Sequence, residues 1–319
     1  EETLNSLTKS MSDLKRLGDA SERISDALKQ QIQASIDKIA ADIRHGTATI
    51  SSDRRKEVFQ LLTSLSKNGF TDAQEIELRN KIIQALADKK DSTAIAYTAT
   101  LDSLAGLSNQ QTVERTSQIL SALIKDSQIE LRQIQISVLE EKILQGSGDN
   151  NLLRKQILDA IASLPEGMQK TEKFRILNSI SQKDPIAHTA LTIQDFIERS
   201  GNLSLSDLSA IEKLDPLYRS EALSLLGSTK QEFDQIINNS ITRLSSVRSD
   251  LSLENYLTGI SSTLNELKSA SELSPILRQA LQKRLEASID AITANIKAGT
   301  TSLLSEDKKN LFTLMNQLS

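Results

Sequence analysis

Ile32-Gln-Ala-Ser-Ile36-Asp-Lys-Ile39-Ala-Ala-Asp-Ile43 is the stretch from which the rest of the chain can be read. Its isoleucines fall at i, i+4, i+7 and i+11, the spacing that draws one apolar stripe along an α-helix. Gly46 lies just past that stripe, where a glycine can take the left-handed conformation that closes a last helical turn. Ser51 or Ser52 can then cap a further helix that holds Phe59, Leu62 and Leu65. Residues 1–66 therefore read as helix, turn, long helix, turn, helix.

The same stretch returns near the other end of the chain. Ala34-Ser-Ile-Asp37 recurs as Ala287-Ser-Ile-Asp290, and that single offset of about 253 positions aligns 1–66 with 254–319 without a gap. Leu4 meets Leu257, Leu14-Lys15 meets Leu267-Lys268, Ala27-Leu28 meets Ala280-Leu281, and Ile39, Ala41 and Ile43 meet Ile292, Ala294 and Ile296. Gly46-Thr47 meets Gly299-Thr300, and Phe59, Leu61, Leu65 and Ser66 meet Phe312, Leu314, Leu318 and Ser319. Helical patterning alone would reproduce the apolar spacing, but not the shared Gly-Thr or the Ala-Ser-Ile-Asp string. The segment reads as a true duplication.

Composition extends the helical reading to the whole chain. Of 319 residues 38% are hydrophobic but only 3% aromatic, with no tryptophan, so the core must be aliphatic. Leu, Ala, Glu, Gln, Lys and Arg lose little side-chain freedom in a helix, and Val, Tyr, Phe and Trp, which favour strands, are few. Weaker echoes of the apolar-helix, glycine, capped-helix grammar stand at Gly106, at Gly146 before Leu152, and at Gly201 before Leu205, with a mean spacing of about 50 residues. Pro165, Pro185, Pro216 and Pro275 each follow or open an expected helix, where a missing N–H costs least.

The expected fold is all-α: tandem helix-hairpin repeats forming an α-solenoid or elongated helical array. Residues 1–253 make one repeat unit of about five hairpin sub-repeats, and 254–319 begin a second copy equivalent to 1–66. If the chain divides into two domains, the flexible-looking Gly146-Ser-Gly-Asp-Asn-Asn151 is where they would meet. The grammar resembles that of HEAT-type helical repeats, but no family motif matches residue by residue, so no residue role is carried over.

Charge and composition exclude several classes of function. A formal net charge of −4 leaves no large basic field for nucleic-acid phosphates or an anionic membrane. The cluster Arg54-Arg55-Lys56 is flanked by Asp53 and Glu57 and reads as a solvated helix face. Zero cysteines rule out disulfides and thiolate metal sites. The longest apolar run, Thr93 to Leu101, falls far short of the ~20 residues of a spanning helix, so no membrane insertion is expected.

No residue set carries recognisable chemistry. His45 belongs to a helix's last turn, where a cation complements the dipole, and His188 to a surface first turn after Asp184-Pro185. Glu140-Glu141 and the pair Glu75 and Glu77 read as solvated charges. Tyr97, Tyr218, Tyr256 and the six phenylalanines are scattered singly, as core anchors are. No catalytic, cofactor-binding or metal-binding residue is assigned, no cofactor or small-molecule substrate is expected, and the partners are expected to be protein, either further copies or another polypeptide.

The expected function is a non-enzymatic structural or adhesive repeat module of a longer, secreted or cell-surface bacterial protein. The alternative is an intracellular or host-injected helical scaffold that binds a partner protein or peptide. The chain begins at Glu1 without an initiator methionine, as a processed product or excised fragment would. The first copy runs on into Lys67 whereas the second stops at Ser319, which leads to the expectation of an adhesive C-terminal face.

Overall fold

The computed structural model describes residues 2–17, 22–48, 51–199, 203–245, 253–269, 275–299, 308–309 and 312–313, and every regular element among them is helical. The helices are α1 (Glu2–Leu17), α2 (Glu22–His45), α3 (Ser52–Leu62), α4 (Asp72–Asp88), α5 (Ser92–Ser103), α6 (Asn109–Ile124), α7 (Gln128–Gln145) and α8 (Asn150–Ala162). They continue as α9 (Glu166–Ile180), α10 (Pro185–Glu198), α11 (Leu205–Lys213), α12 (Pro216–Leu226), α13 (Lys230–Ser245), α14 (Leu253–Ser269) and α15 (Pro275–Lys297). A short 3-10 turn, Ser66–Asn68, lies between α3 and α4.

Local chemistry explains where these helices stop and start. Gly46 has φ 73°, and its N–H donates to the Ile43 carbonyl while that of Thr47 donates to Asp42, so the last carbonyls of α2 are satisfied. The same pair of bonds closes α7 at Gly146 and α12 at Gly227. Two other turns do this without glycine: Lys90 (φ 60°) closes α4 and Asp126 (φ 57°) closes α6. Ser51, Thr71, Asp91, Ser108 and Ser127 accept backbone N–H bonds at the starts of α3 to α7. Pro185, Pro216 and Pro275 sit in the first turns of α10, α12 and α15.

The chain divides into two compact units, Glu1–Ile176 and Leu177–Ser319, with the division inside α9. This corrects the expected junction at Gly146–Asn151. That segment is a tight corner within the first unit: Gly146 caps α7, the Asp149 side chain accepts from Asn151 N–H at 2.9 Å, and α7 packs on α8. Glycine there serves a turn and not a linker.

In the first unit α1 lies on α2, and α2 lies on α4. Asp37 meets Lys81 at 2.9 Å and Arg44 meets Asp88 at 3.5 Å, equal steps along both helices, so α2 and α4 run parallel. Next, α4 packs on α5, α5 on α7 and α7 on α8, while α3 packs on α4 and α6. The Thr100 hydroxyl donates to the Leu131 carbonyl at 3.0 Å, which ties α5 to α7. As the composition requires, the core between them is mostly Leu, Ile and Ala, with Phe59, Phe70 and Tyr97 as its aromatic members. Each stretch of about 50 residues holds three helices here (α3 to α5, then α6 to α8), where the sequence suggested a hairpin.

In the second unit α10 packs on α12, and α11, α13 and α14 each pack on α15. Arg199 caps this arrangement locally: it pairs with Asp207 at 3.0 Å and Asp195 at 2.6 Å and lies 5.4 Å from the Phe196 ring centre. When shifted by about 253 positions, α1 and α2 reproduce the bounds of α14 and α15 to within about two residues. Gly299 repeats the left-handed φ of Gly46, 70° against 73°. The Gly201 echo and the matches at Leu314, Leu318 and Ser319 lie outside the described residues.

Candidate functional site

The residues with chemical potential are spread out. His45 ends α2, and His188 lies exposed in α10 behind Asp184, whose buried carboxylate accepts from Ile186 and Ala187 N–H. No group of three or more His, Asp or Glu side chains able to hold a metal ion exists among the described residues. No described helix is long and apolar enough to cross a membrane.

Several charged residues are less solvated than their sequence context suggests. Arg55 is one: its guanidinium reaches inward to Asp91, at the start of α5, and to Asp126, at the α6–α7 turn, while Ser52 donates to Asp126 as well. Burial by itself would push the Asp126 carboxyl up, but the hydrogen bonds from Ser52 and Arg55 outweigh it and hold the group below its ordinary range. Only Arg54 and Lys56 behave as a surface face, pairing with Glu57 and Asp53. Glu140 and Glu141 are likewise part-buried and pair with Arg175 and Arg115, and buried Glu75 accepts from Ser66 N–H and pairs with Arg79. Arg79 is the local i,i+4 partner of Glu75, whereas the arginines that meet Glu140 and Glu141 lie 35 and 26 residues away, beyond any local charge pattern.

Two open grooves mark the first unit. One, of about 500 Å³, runs between α6 and α7 past Arg115, Ser121 and Lys125, whose cations are already paired with Glu141 and Glu130. The other, of about 350 Å³, is walled by α5, α7 and α8 and holds Arg132, whose one protein hydrogen bond goes to Gln135 at 2.8 Å. Arg132 matches Arg79 in a short string distinct from the longer match: Ile76-Glu-Leu-Arg79 returns as Ile129-Glu-Leu-Arg132, about 53 positions on. Asp102 and Asp159 share this groove with Arg132, so its lining carries one more carboxylate than cations. Neither groove converges on a reactive atom.

The most informative comparison is between α2 and α15. On α2, Ile32, Ser35 and Ile39 form a buried stripe, and so do their counterparts Leu285, Ser288 and Ile292 on α15. The stripe beside it behaves differently. Ile36, Ala40 and Ile43 are buried on α2 on the side that carries the Asp37 and Arg44 pairs to α4. Their counterparts are less covered: Ile289 is half-buried and packs on the core between α14 and α15, Thr293 is exposed, and Ile296 is 37% exposed where Ile43 is 3% exposed. The opposite flank shows the converse. Ala27, Gln31, Ala34 and Lys38 are exposed on α2, whereas Ala280 is buried and Arg284, Ala287 and Ala291 are half-buried on α15, which has α13 as an additional neighbour. Corresponding positions of the two helices are thus covered to different extents on their two flanks.

Neither a protein-family model nor a curated protein nor a solved structure matches the chain.

Proposed function

We propose that the chain is a non-enzymatic structural module: part of a stacked helical array, or α-solenoid, of repeated units that holds proteins together at a cell surface. The observation that carries this reading is the reciprocal burial of α2 and α15, a matched pair of helices with one flank covered in each. In a stack, every internal helix is covered on both flanks, and only the first and last members leave one open. The αL glycines Gly46 and Gly299 and the bounds of the paired helices support the same conclusion. The string Ile76–Arg79 and its echo Ile129–Arg132 support a shorter internal period, with Leu78 and Leu131 both buried and Ile76 and Ile129 both exposed.

The surface location rests on the absence of cysteine. An intracellular scaffold that binds a partner is the second reading, favoured by the groove at Arg132. The open reading frame that encodes the chain tests both. Further copies at the same offset behind an export signal support the surface array, whereas a frame without further copies or an export signal overturns it in favour of the scaffold.

A further inference from the structure

We infer that the open flank of α15 is a docking seat for one kind of partner: an amphipathic helix of the α4 type, laid parallel to α15. The inference rests on the duplication and goes beyond it by naming the occupant. On α2 the seat is filled, and its contents define the chemistry. Ile36, Ala40 and Ile43 are covered, while Asp37 holds Lys81 and Arg44 holds Asp88 at the two ends of the contact. Hydrogen bonding to Asp37 raises the Lys81 ammonium above its ordinary range, as expected for a cation in a formed pair.

Most of that seat is present on α15, with Thr293 in the place of Ala40. Ile289 and Ile296 keep the apolar stripe, Asp290 stands for Asp37, and Lys297 keeps the cation of Arg44. Asp290 and Lys297 are both exposed and make no ion pair among the described residues. An acidic group followed seven positions later by a basic one selects the reverse order on a parallel helix, which is the order of Lys81 and Asp88 on α4. An antiparallel helix with that order would set like charges against each other at both ends. The seat therefore specifies direction as well as hydrophobicity. A helix with apolar residues at Leu78, Ile82 and Ala85 spacing, flanked by a lysine and a later aspartate, satisfies it.

The probe is a fluorescein-labelled peptide of residues 71–90, with a hydrocarbon staple at the exposed positions Asn80 and Gln84 so that it is helical before it binds. It is titrated with the full chain and followed by fluorescence anisotropy. Saturable binding is expected, abolished by Ile296→Asp and by Thr293→Arg, both on exposed positions. Asp290→Lys should weaken binding about fivefold, and Lys81→Glu in the peptide should restore it. Absence of saturation up to the solubility limit, undiminished binding to the Ile296→Asp and Thr293→Arg chains, or failure of the charge exchange to rescue would each overturn the inference. A reading frame without further copies, together with the expected binding, would overturn the array alone.

Discussion

Ile43 and Ile296 occupy the same place on two helices of matching bounds, and the first is 3% exposed while the second is 37% exposed. Removing the side chain should therefore have unequal consequences. Ile43→Ala deletes three carbons from a packed interface and should cost about 2–4 kcal/mol, whereas Ile296→Ala should cost under about 1 kcal/mol. Urea unfolding followed by far-ultraviolet circular dichroism measures the difference.

Arg55 separates from its neighbours in the same way. Its guanidinium is 12% exposed between two carboxylates, so Arg55→Ala leaves Asp91 and Asp126 without their cation and should cost about 2–3 kcal/mol. Arg54, nearly half exposed and paired with Glu57, should tolerate alanine within about 0.5 kcal/mol. A comparison of the two variants in one denaturation series checks the ranking.

Asp126 gives the network a pH signature. Its folded carboxyl lies below its ordinary value, so the stabilisation is complete above the unfolded value, near ~3.9, and is lost as pH falls through the folded one. Stability should drop below about pH 4, and Asp126→Asn should be less stable at neutral pH with a shallower acid limb. Melting temperatures of both proteins between pH 2 and 7, about five units, reveal whether the curves converge in acid as expected.

Lys90 closes α4 in the left-handed conformation, at φ 60°, where a β-carbon is unfavourable. Lys90→Gly should stabilise the chain by roughly 1 kcal/mol, while Gly46→Ala, at φ 73°, should destabilise it by a similar amount. Paired thermal melts decide the signs.

Much of this was legible from sequence, for identifiable reasons. The stripe of Ile32, Ile36, Ile39 and Ile43 is a local periodicity, and Gly46, Ser51 and the prolines act on their immediate neighbours, so helices and their ends could be placed. What could not be read was which of two adjacent stripes each neighbour would cover. Ile36 and Ile39 look alike in sequence, yet one faces the α4 side and the other stays buried in both copies. Arg55 was hidden for a related reason: its acceptors lie 36 and 71 residues downstream, so Asp53 and Glu57 looked like its company. The Gly146 corner misled because glycine marks a tight turn and a linker alike. The echo of Ile76–Arg79 at Ile129–Arg132 is four residues long, and the much longer match between 1–66 and 254–319 overshadows it.

The chain has no cysteine, so a single introduced thiol reports one position without interference. The most direct test of the account is the rate at which thiols at 32, 43, 285 and 296 react with an excess of a maleimide dye in the native chain. Ile32→Cys, Ile43→Cys and Leu285→Cys should react slowly and Ile296→Cys at least about a hundredfold faster, because only the last requires no opening of a helix contact. Equal rates at 43 and 296 would mean that the two flanks are covered alike, and would contradict the account.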